Sequence, residues 1–324
     1  MKKKGSTAGN KKGLKSMNLT TGVPSSGKVI KKKKPFHNIT GFISVTLILL
    51  NTLAGYAPLL VAGLVKWILP FKVVTVPCTW IITQVATNWL SINNLIYRYV
   101  LGVKVITTGE TVFDKKGWYL VLSNHQSWID IVVLQMIFNR RIPILKFFIK
   151  QKLIKVPLMG FAWWALDFPF MKRYSSDFIK KNPHLKGKDI EITRKACEKF
   201  RTLPVSVMNF VEGTRFSEMK HKRQNSPYKH LLKPRAGGTG FVFSAMGDSI
   251  KKILNVTIVY PQGDRDFWNF LCGLIKEVDV HIETMDVTPD LVGDYENDPA
   301  YKAHFQKWIN RLWENKDELL ERMK

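Results

Sequence analysis

The sequence predicts an α/β protein, a mixed sheet flanked by helices, preceded by a membrane-embedded two-helix hairpin at the N-terminus. Three observations lead there. After about residue 104, short apolar runs of strand character alternate with helix-like segments, the pattern of helices packed on a parallel or mixed sheet. Before that point lie two long uncharged stretches. Charge is also divided unevenly along the chain.

Lys and Arg number 50 against 25 acidic residues, a net charge of +25 over 324 residues. No Asp or Glu precedes Glu110, while residues 1–109 carry 15 Lys or Arg. A nucleic-acid binder would spread its positive charge over the folded domain, so this class is disfavoured. At 45% hydrophobic, the chain has enough apolar surface to build a core. Cys78, Cys197 and Cys272 show no CxxC spacing, which argues against a disulfide framework and against a cysteine-based zinc site. The expected organisation is a disordered polybasic arm over 1–37, a membrane anchor over 38–104 and an α/β domain over 105–324. The arm, with eleven lysines before Pro35, is either a solvated tail or a partner for anionic membrane lipids.

Phe42–Val65 runs 24 residues without a charge. At about 1.5 Å per residue it reaches roughly 36 Å, enough to cross a hydrocarbon core. A cleaved signal peptide would have a shorter apolar region, and a buried soluble helix is the plainer alternative. Val73–Tyr97 is also uncharged, but Thr75, Thr79, Thr83, Thr87 and Ser91 recur every fourth residue. That spacing gathers polar groups on one face, which either packs on protein or lies in the interface. Both outer flanks are basic, so the positive-inside rule favours a hairpin with both ends, and the domain, in the cytoplasm.

In the domain the expected elements are a strand at Trp118–Ser123, a helix at Trp128–Phe138, a strand at Lys146–Lys150, a helix at Leu158–Leu166 and a short apolar run at Phe168–Met171. A helix at Asp189–Arg201, strands at Val205–Val211 and Ile253–Tyr260, an exposed strand at Val278–Glu283 and an amphipathic helix at Pro299–Met323 follow. Phe267, Trp268, Phe270 and Leu271 read as core, with lipid contact as the alternative.

Candidate chemistry concentrates where strands end. His125, in Asn124–Asp130 (NHQSWID), follows the first strand, and His is the side chain best suited to accept a proton near neutral pH. Asp130 can hold the other ring nitrogen. On a continuous helix residues five apart diverge by about 140°, so the pair meets only if His125 precedes the helix. Ser127–Asp130 is equally a capping box whose Asp serves a backbone N–H. No GxSxG is present and no Cys neighbours His125, so the base would act on a hydroxyl of the substrate. Glu212-Gly213-Thr214-Arg215 follows a second strand and offers a tight turn, a hydroxyl and a planar guanidinium suited to phosphate, or else is simply a solvated basic loop.

Together these segments resemble the lysophospholipid acyltransferases, the family that includes 1-acyl-glycerol-3-phosphate acyltransferase. His125-x4-Asp130 matches the catalytic block, Phe170–Arg173 stands loosely where a short strand ends in Arg, Glu212–Arg215 matches the acceptor-phosphate block, and Val259-Tyr260-Pro261 matches the last block. Lys146 and Pro157–Gly160 resemble the segment between the first two. Val211 departs from the Pro found in many members, and FVEGTRFS, LLKPRAGG and FWNFLCG look most like the branch holding lysocardiolipin-type enzymes and the bacterial inner-membrane protein YihG.

The resemblance implies the glycerolipid acyltransferase fold and an inner-membrane enzyme facing the cytoplasm. It implies His125 and Asp130 as catalytic residues. Arg215, Arg173, Glu212, Gly213, Thr214, Lys146 and Pro261 would shape the acceptor site, with Glu212 either positioning the acceptor or anchoring its loop. Acyl-CoA or acyl carrier protein is the implied co-substrate, a lysophospholipid the acceptor, and no metal or bound cofactor is implied. A thioesterase, and a membrane-surface lipid-binding protein with a merely structural His–Asp pair, are the competing readings.

Overall fold

The computed structural model describes residues 35–171, 188–201, 203–247 and 249–324. The polybasic arm before Pro35 and Arg173 lie outside them.

Helices α1 (Pro35–Ile68) and α2 (Lys72–Leu95) are joined by three residues and pack antiparallel. α2 runs on into a π-helical turn at Ile96–Val100. The polar stripe of α2 faces protein. Asn51 of α1 donates to Asn93 Oδ1 (2.8 Å) and to the Trp89 carbonyl (3.0 Å), and Trp89 Nε1 donates to Thr52 (3.1 Å). Asn139 and Arg140 donate to Ser91 at 2.9 and 3.0 Å. Thr83, Thr87 and Ser91 return their hydroxyls to carbonyls four residues back. Among the described helices α1 alone is long and apolar enough to cross a membrane.

α1 does not stand away from the domain. Near its start Phe42 meets Trp268 edge-on at 5.5 Å, midway Tyr56 donates to the Leu158 carbonyl (3.2 Å), and near its end Lys66 forms an ion pair with Asp167 (2.8 Å). Thr79 of α2 bonds the same carboxylate at 3.3 Å. Gly63 allows the close approach here, since a Cβ would sit 2.6 Å from the tip of the Phe161 ring. The opposite face of the hairpin leaves Leu49, Leu50, Leu53, Val61, Val76 and Trp80 exposed.

The domain is built on six strands in the order β1-β8-β7-β2-β6-β3. They are β1 (Lys104–Gly109), β2 (Tyr119–Ser123), β3 (Leu145–Lys146), β6 (Ser206–Phe210), β7 (Lys252–Val259) and β8 (Glu277–Asp286). Only β7 and β8 pair antiparallel, so the sheet is mixed. All five residues of β2 are buried, as a central strand covered on both faces requires. Alternation along it splits the core. Val121 joins Val133, Phe138 and Leu254 on one side; Leu120 and Leu122 join Phe200, Val207, Phe243 and Trp313 on the other. Helices α3 (Ile129–Phe138) and α8 (Phe267–Leu271) cover the first face, and α5 (Lys188–Cys197), α7 (Ala236–Met246) and α9 (Pro299–Met323) the second. Between them in sequence lie α4 (Met159–Ala165) and α6 (Glu218–Gln224).

Two expectations need correction. The strand expected at Lys146–Lys150 is two short ones in different sheets: β3 closes the main sheet, and β4 (Ile149–Lys150) pairs with β5 (Phe170–Met171). Phe147 and Phe148 between them pack into opposite cores, which ends the pairing. The strand expected to be exposed at Val278–Glu283 is β8, interior between β1 and β7; its alternation buries Val278, Val280 and Ile282. The aromatic cluster at α8 is core in part, with Phe270 buried and Trp268 wedged against α1.

α9 begins at Asp298, whose carboxylate accepts from Ala300 and Tyr301 N–H, with Pro299 in the first turn. Its buried stripe of Phe305, Ile309, Leu312, Trp313 and Leu320 also includes Lys316. The Lys316 ammonium donates to the Val256 carbonyl (2.6 Å) and Thr257 Oγ1 (2.9 Å) of β7, and burial pushes its pKa down to about 7. Between about pH 7 and 10.5 the unfolded chain therefore carries a proton at Lys316 that the fold does not. Stability in detergent should rise with pH across that window, by up to about 1.4 kcal/mol per unit, relative to Lys316→Met. Parallel melting curves for the two proteins across that range would refute the assignment.

Candidate active site

Three loops meet at the C-terminal ends of adjacent parallel strands β7, β2 and β6, the edge where open α/β sheets present their sites. Asn124, just after β2, is fixed against β7 by a reciprocal pair: its Nδ2 donates to the Ile258 carbonyl and its Oδ1 accepts from Ile258 N–H, both at 2.9 Å. His125 therefore lies on the loop before α3, as the pairing with Asp130 requires.

His125 Nδ1 is 2.9 Å from Asp130 Oδ2. The same oxygen accepts from the backbone N–H of Gln126 (2.6 Å) and Ser127 (2.8 Å), and Oδ1 accepts from the Tyr260 hydroxyl (2.6 Å). Asp130 is fully buried, so four donors stabilise a carboxylate removed from water. The capping and catalytic readings of Asp130 are thus one arrangement: the carboxylate serves the helix start and the imidazole together. With Nδ1–H held by Asp130, the ring presents Nε2 as its proton acceptor. Phe210 stacks on it at 3.8 Å and 12°, fixing its plane. Burial, with the Asp130 charge beside it, pushes the Tyr260 hydroxyl well above its ordinary pKa, so it stays a donor.

A second buried carboxylate joins the loops. Glu212 Oε1 accepts from His125 N–H (2.9 Å) and Oε2 from Leu232 N–H (3.0 Å). Burial pushes its pKa up to about 8, against those two N–H groups. Phe216 N–H then donates to the His125 carbonyl at 2.7 Å.

A family model described as "Acyltransferase" matches residues 104–260, the segment that runs from β1 to the end of β7 and includes the loops after β2 and β6. Residues 104–260 are thus an acyltransferase-family domain. It is 26% identical to "Lysocardiolipin acyltransferase 1" of Danio rerio over 75% of this chain and 62% of that protein. It is 24% identical to "1-acyl-sn-glycerol-3-phosphate acyltransferase epsilon" of Mus musculus over 68% and 61%. It is likewise 24% identical to the "2-acyl-1-lysophosphatidylinositol acyltransferase" of Saccharomyces cerevisiae over 63% and 60%. The chain thus spans about three-fifths of the length of these relatives. The crystal structure of the 1-acyl-sn-glycerophosphate acyltransferase PlsC from Thermotoga maritima aligns over 82% of this chain and 97% of that one, with a TM-score of 0.42 and 16% identity.

Around the dyad the remaining candidates take distinct places. Of the two roles open to Glu212, the geometry supplies the anchoring one, since both its oxygens are on backbone N–H groups. Gly213 has φ +67°, and a Cβ there would sit 3.0 Å from Arg235. Thr214 Oγ1 accepts from Lys220 (2.7 Å), which also donates to the Arg215 carbonyl (2.9 Å). Arg215 is exposed, its guanidinium 4.6 Å above the ring of Trp128, itself an exposed residue of the His125 block. Pro261 is exposed and begins the turn closed by Gly263 N–H on the Tyr260 carbonyl. Lys146 sits on the edge strand β3 with its ammonium 4.9 Å from the Phe200 ring.

Tyr260 and Trp128 are functional neighbours that their motifs contained but whose roles spacing does not reveal. Gln126 and Arg265 are a further pair, joined at 3.0 Å, and the Arg265 carbonyl accepts from Ser127 Oγ at 2.7 Å. Glu212→Gln offers one acceptor oxygen for two N–H groups. It should lower unfolding free energy by about 1–3 kcal/mol, measured by denaturant titration in detergent, and an unchanged midpoint would contradict the anchoring role.

Proposed function

We propose that the protein moves an acyl chain from an acyl thioester, acyl-CoA or acyl carrier protein, to the free hydroxyl of a lysophospholipid. The first acceptor to consider is 1-acyl-glycerol-3-phosphate, giving phosphatidate. The carrying observation is a buried His–Asp dyad at the same sheet edge as an exposed, ring-supported arginine. The relatives' names differ in their acceptor but share a lysophospholipid, so lysocardiolipin-like or lysophosphatidylglycerol acceptors are the runner-up within the same reaction.

In this reading His125 Nε2 takes the hydroxyl proton as the oxygen attacks the thioester carbonyl. The C–S bond then breaks, and the imidazolium returns the proton to the departing thiolate. Asp130 holds the tautomer and offsets the charge that forms on the ring. Arg215 takes the acceptor phosphate, with Arg173 as a second cation from a segment outside the described residues.

The hairpin fits the same reading. α1 touches the domain near both ends, so its apolar outer face would lie against one leaflet, continuous with exposed Leu153, Ile154, Leu158 and Met159 near α4. Basic flanks would set both ends and the domain on the cytoplasmic side of the inner membrane, with the arm on anionic lipids.

Thiol release from acyl-CoA by the purified protein should require lysophosphatidate and fall about 10²–10⁴-fold in His125→Ala. Release without acceptor would mark a thioesterase, and an inactive wild type across lysolipids and both donors would leave a lipid-binding protein. Tyr260→Phe removes one of four donors to Asp130 and should lower kcat about tenfold with little change in KM. Arg215→Ala should raise the acceptor KM by about tenfold or more and leave the donor KM unchanged.

A further inference from the structure

The loops that hold His125 also wall a cleft of about 290 Å³ to which the chemistry above gives no task. Its lining carries the cations Lys222, Lys229, Arg265 and Lys324 against a single carboxylate, Glu218, with Phe216 as an aromatic wall. Segments distant in sequence build it: Gln126 after β2, Phe216 and α6 with the loop that follows, Arg265 after β7, and Lys324 at the end of α9.

The cleft is shaped by contacts within the fold. Arg265 is held by Gln126 at 3.0 Å, with its guanidinium 5.7 Å from the Phe216 ring. The backbone N–H groups of Lys229 and His230 both donate to Asp317 of α9 at 2.7 Å, pinning that loop on the helix. The Lys229 ammonium pairs with Glu321 at 2.5 Å, an exposed pair of small net value that a phosphate can displace. Phe216 is bonded to the His125 carbonyl, so the cleft adjoins the dyad. Arg215, one residue earlier, is stacked on Trp128 and does not line the cleft. The chain thus offers two separate cationic sites on either side of one loop segment.

We propose that this cleft is a second phosphate site, distinct from Arg215, occupied during turnover. The phosphate would come from the nucleotide of a coenzyme A thioester, with its base against Phe216, or from a second phosphate in the acceptor headgroup. The proposal rests on the acyl-transfer reading above.

The test compares wild type with Lys222→Ala/Lys229→Ala, neither residue belonging to the His125 or Arg215 machinery. Binding of adenosine 3′,5′-bisphosphate to the full chain in detergent would be measured by calorimetry. KM would be measured for acyl-CoA, for acyl-pantetheine, and for acceptors with one and with two phosphates. The expected result is about tenfold weaker nucleotide binding and a similar rise in the acyl-CoA KM. The kcat, the lysophosphatidate KM and the acyl-pantetheine KM should hold. A KM rise confined to the two-phosphate acceptor, with nucleotide binding unmoved, keeps the site and assigns it to the headgroup. Constants unchanged throughout in an active enzyme would overturn the proposal and leave acyl transfer standing. An inactive wild type whose nucleotide binding still weakens in the variant would sink acyl transfer and retain the phosphate site.

Discussion

The carboxylate of Asp130 is the point on which the site depends. It is fully buried, and a buried carboxylate without partners is expensive enough to neutralise or unfold its surroundings. Here donors from His125, Gln126, Ser127 and Tyr260 occupy both oxygens, and each ties a different piece of the site in place. The two backbone N–H groups set the turn into α3. The imidazole takes its tautomer from the same oxygen, and the tyrosine draws in the end of β7. Helix initiation, histidine orientation and the alignment of two strands are therefore one electrostatic arrangement.

Glu212 repeats the device one strand over. It ties the loop after β6 to the backbone of His125, while Leu232 brings in the segment that leads to α7. Lys316 of α9 reaches β7 beneath the same edge, and its charge opposes the burial that raises the Glu212 pKa. A dry floor of buried ionisable groups beneath an exposed Arg215 and Trp128 is suited to a reaction in which a proton moves at a fixed place and a lipid phosphate is held at the rim.

Much of this was legible in the sequence where local chemistry decides. The His125–Asp130 pair with the strand before it, and the Glu212–Arg215 turn, are each contained within a few consecutive residues, and the buried central strand reads as an apolar run. α7 was not legible, because AGGTGFVFSAM is poor in helix formers and helical through burial on β6 and β2 neighbours. Lys316 reads as solvent-facing in any charged amphipathic helix until its acceptors on β7 are known. Tyr260 sits in a recognisable motif, yet its partner is 130 residues away and only the fold brings them together. The strand expected at Lys146–Lys150 failed because two adjacent phenylalanines were claimed by opposite cores. The polar stripe of α2 left packing on protein and lying in the interface both open, and the choice required the positions of Asn139 and Arg140.

The most direct measurement is acyl transfer by Asp130→Asn, assayed with lysophosphatidate and acyl-CoA on protein whose melting temperature in detergent is recorded in parallel. An amide offers one acceptor oxygen and an NH2 group where four donors converge, so the tautomer of His125 is no longer fixed. The expected result is a folded protein, with a lowered melting temperature, whose kcat drops by about 10²-fold or more. Transfer at the wild-type rate in that variant would contradict the claim that Asp130 holds the site together.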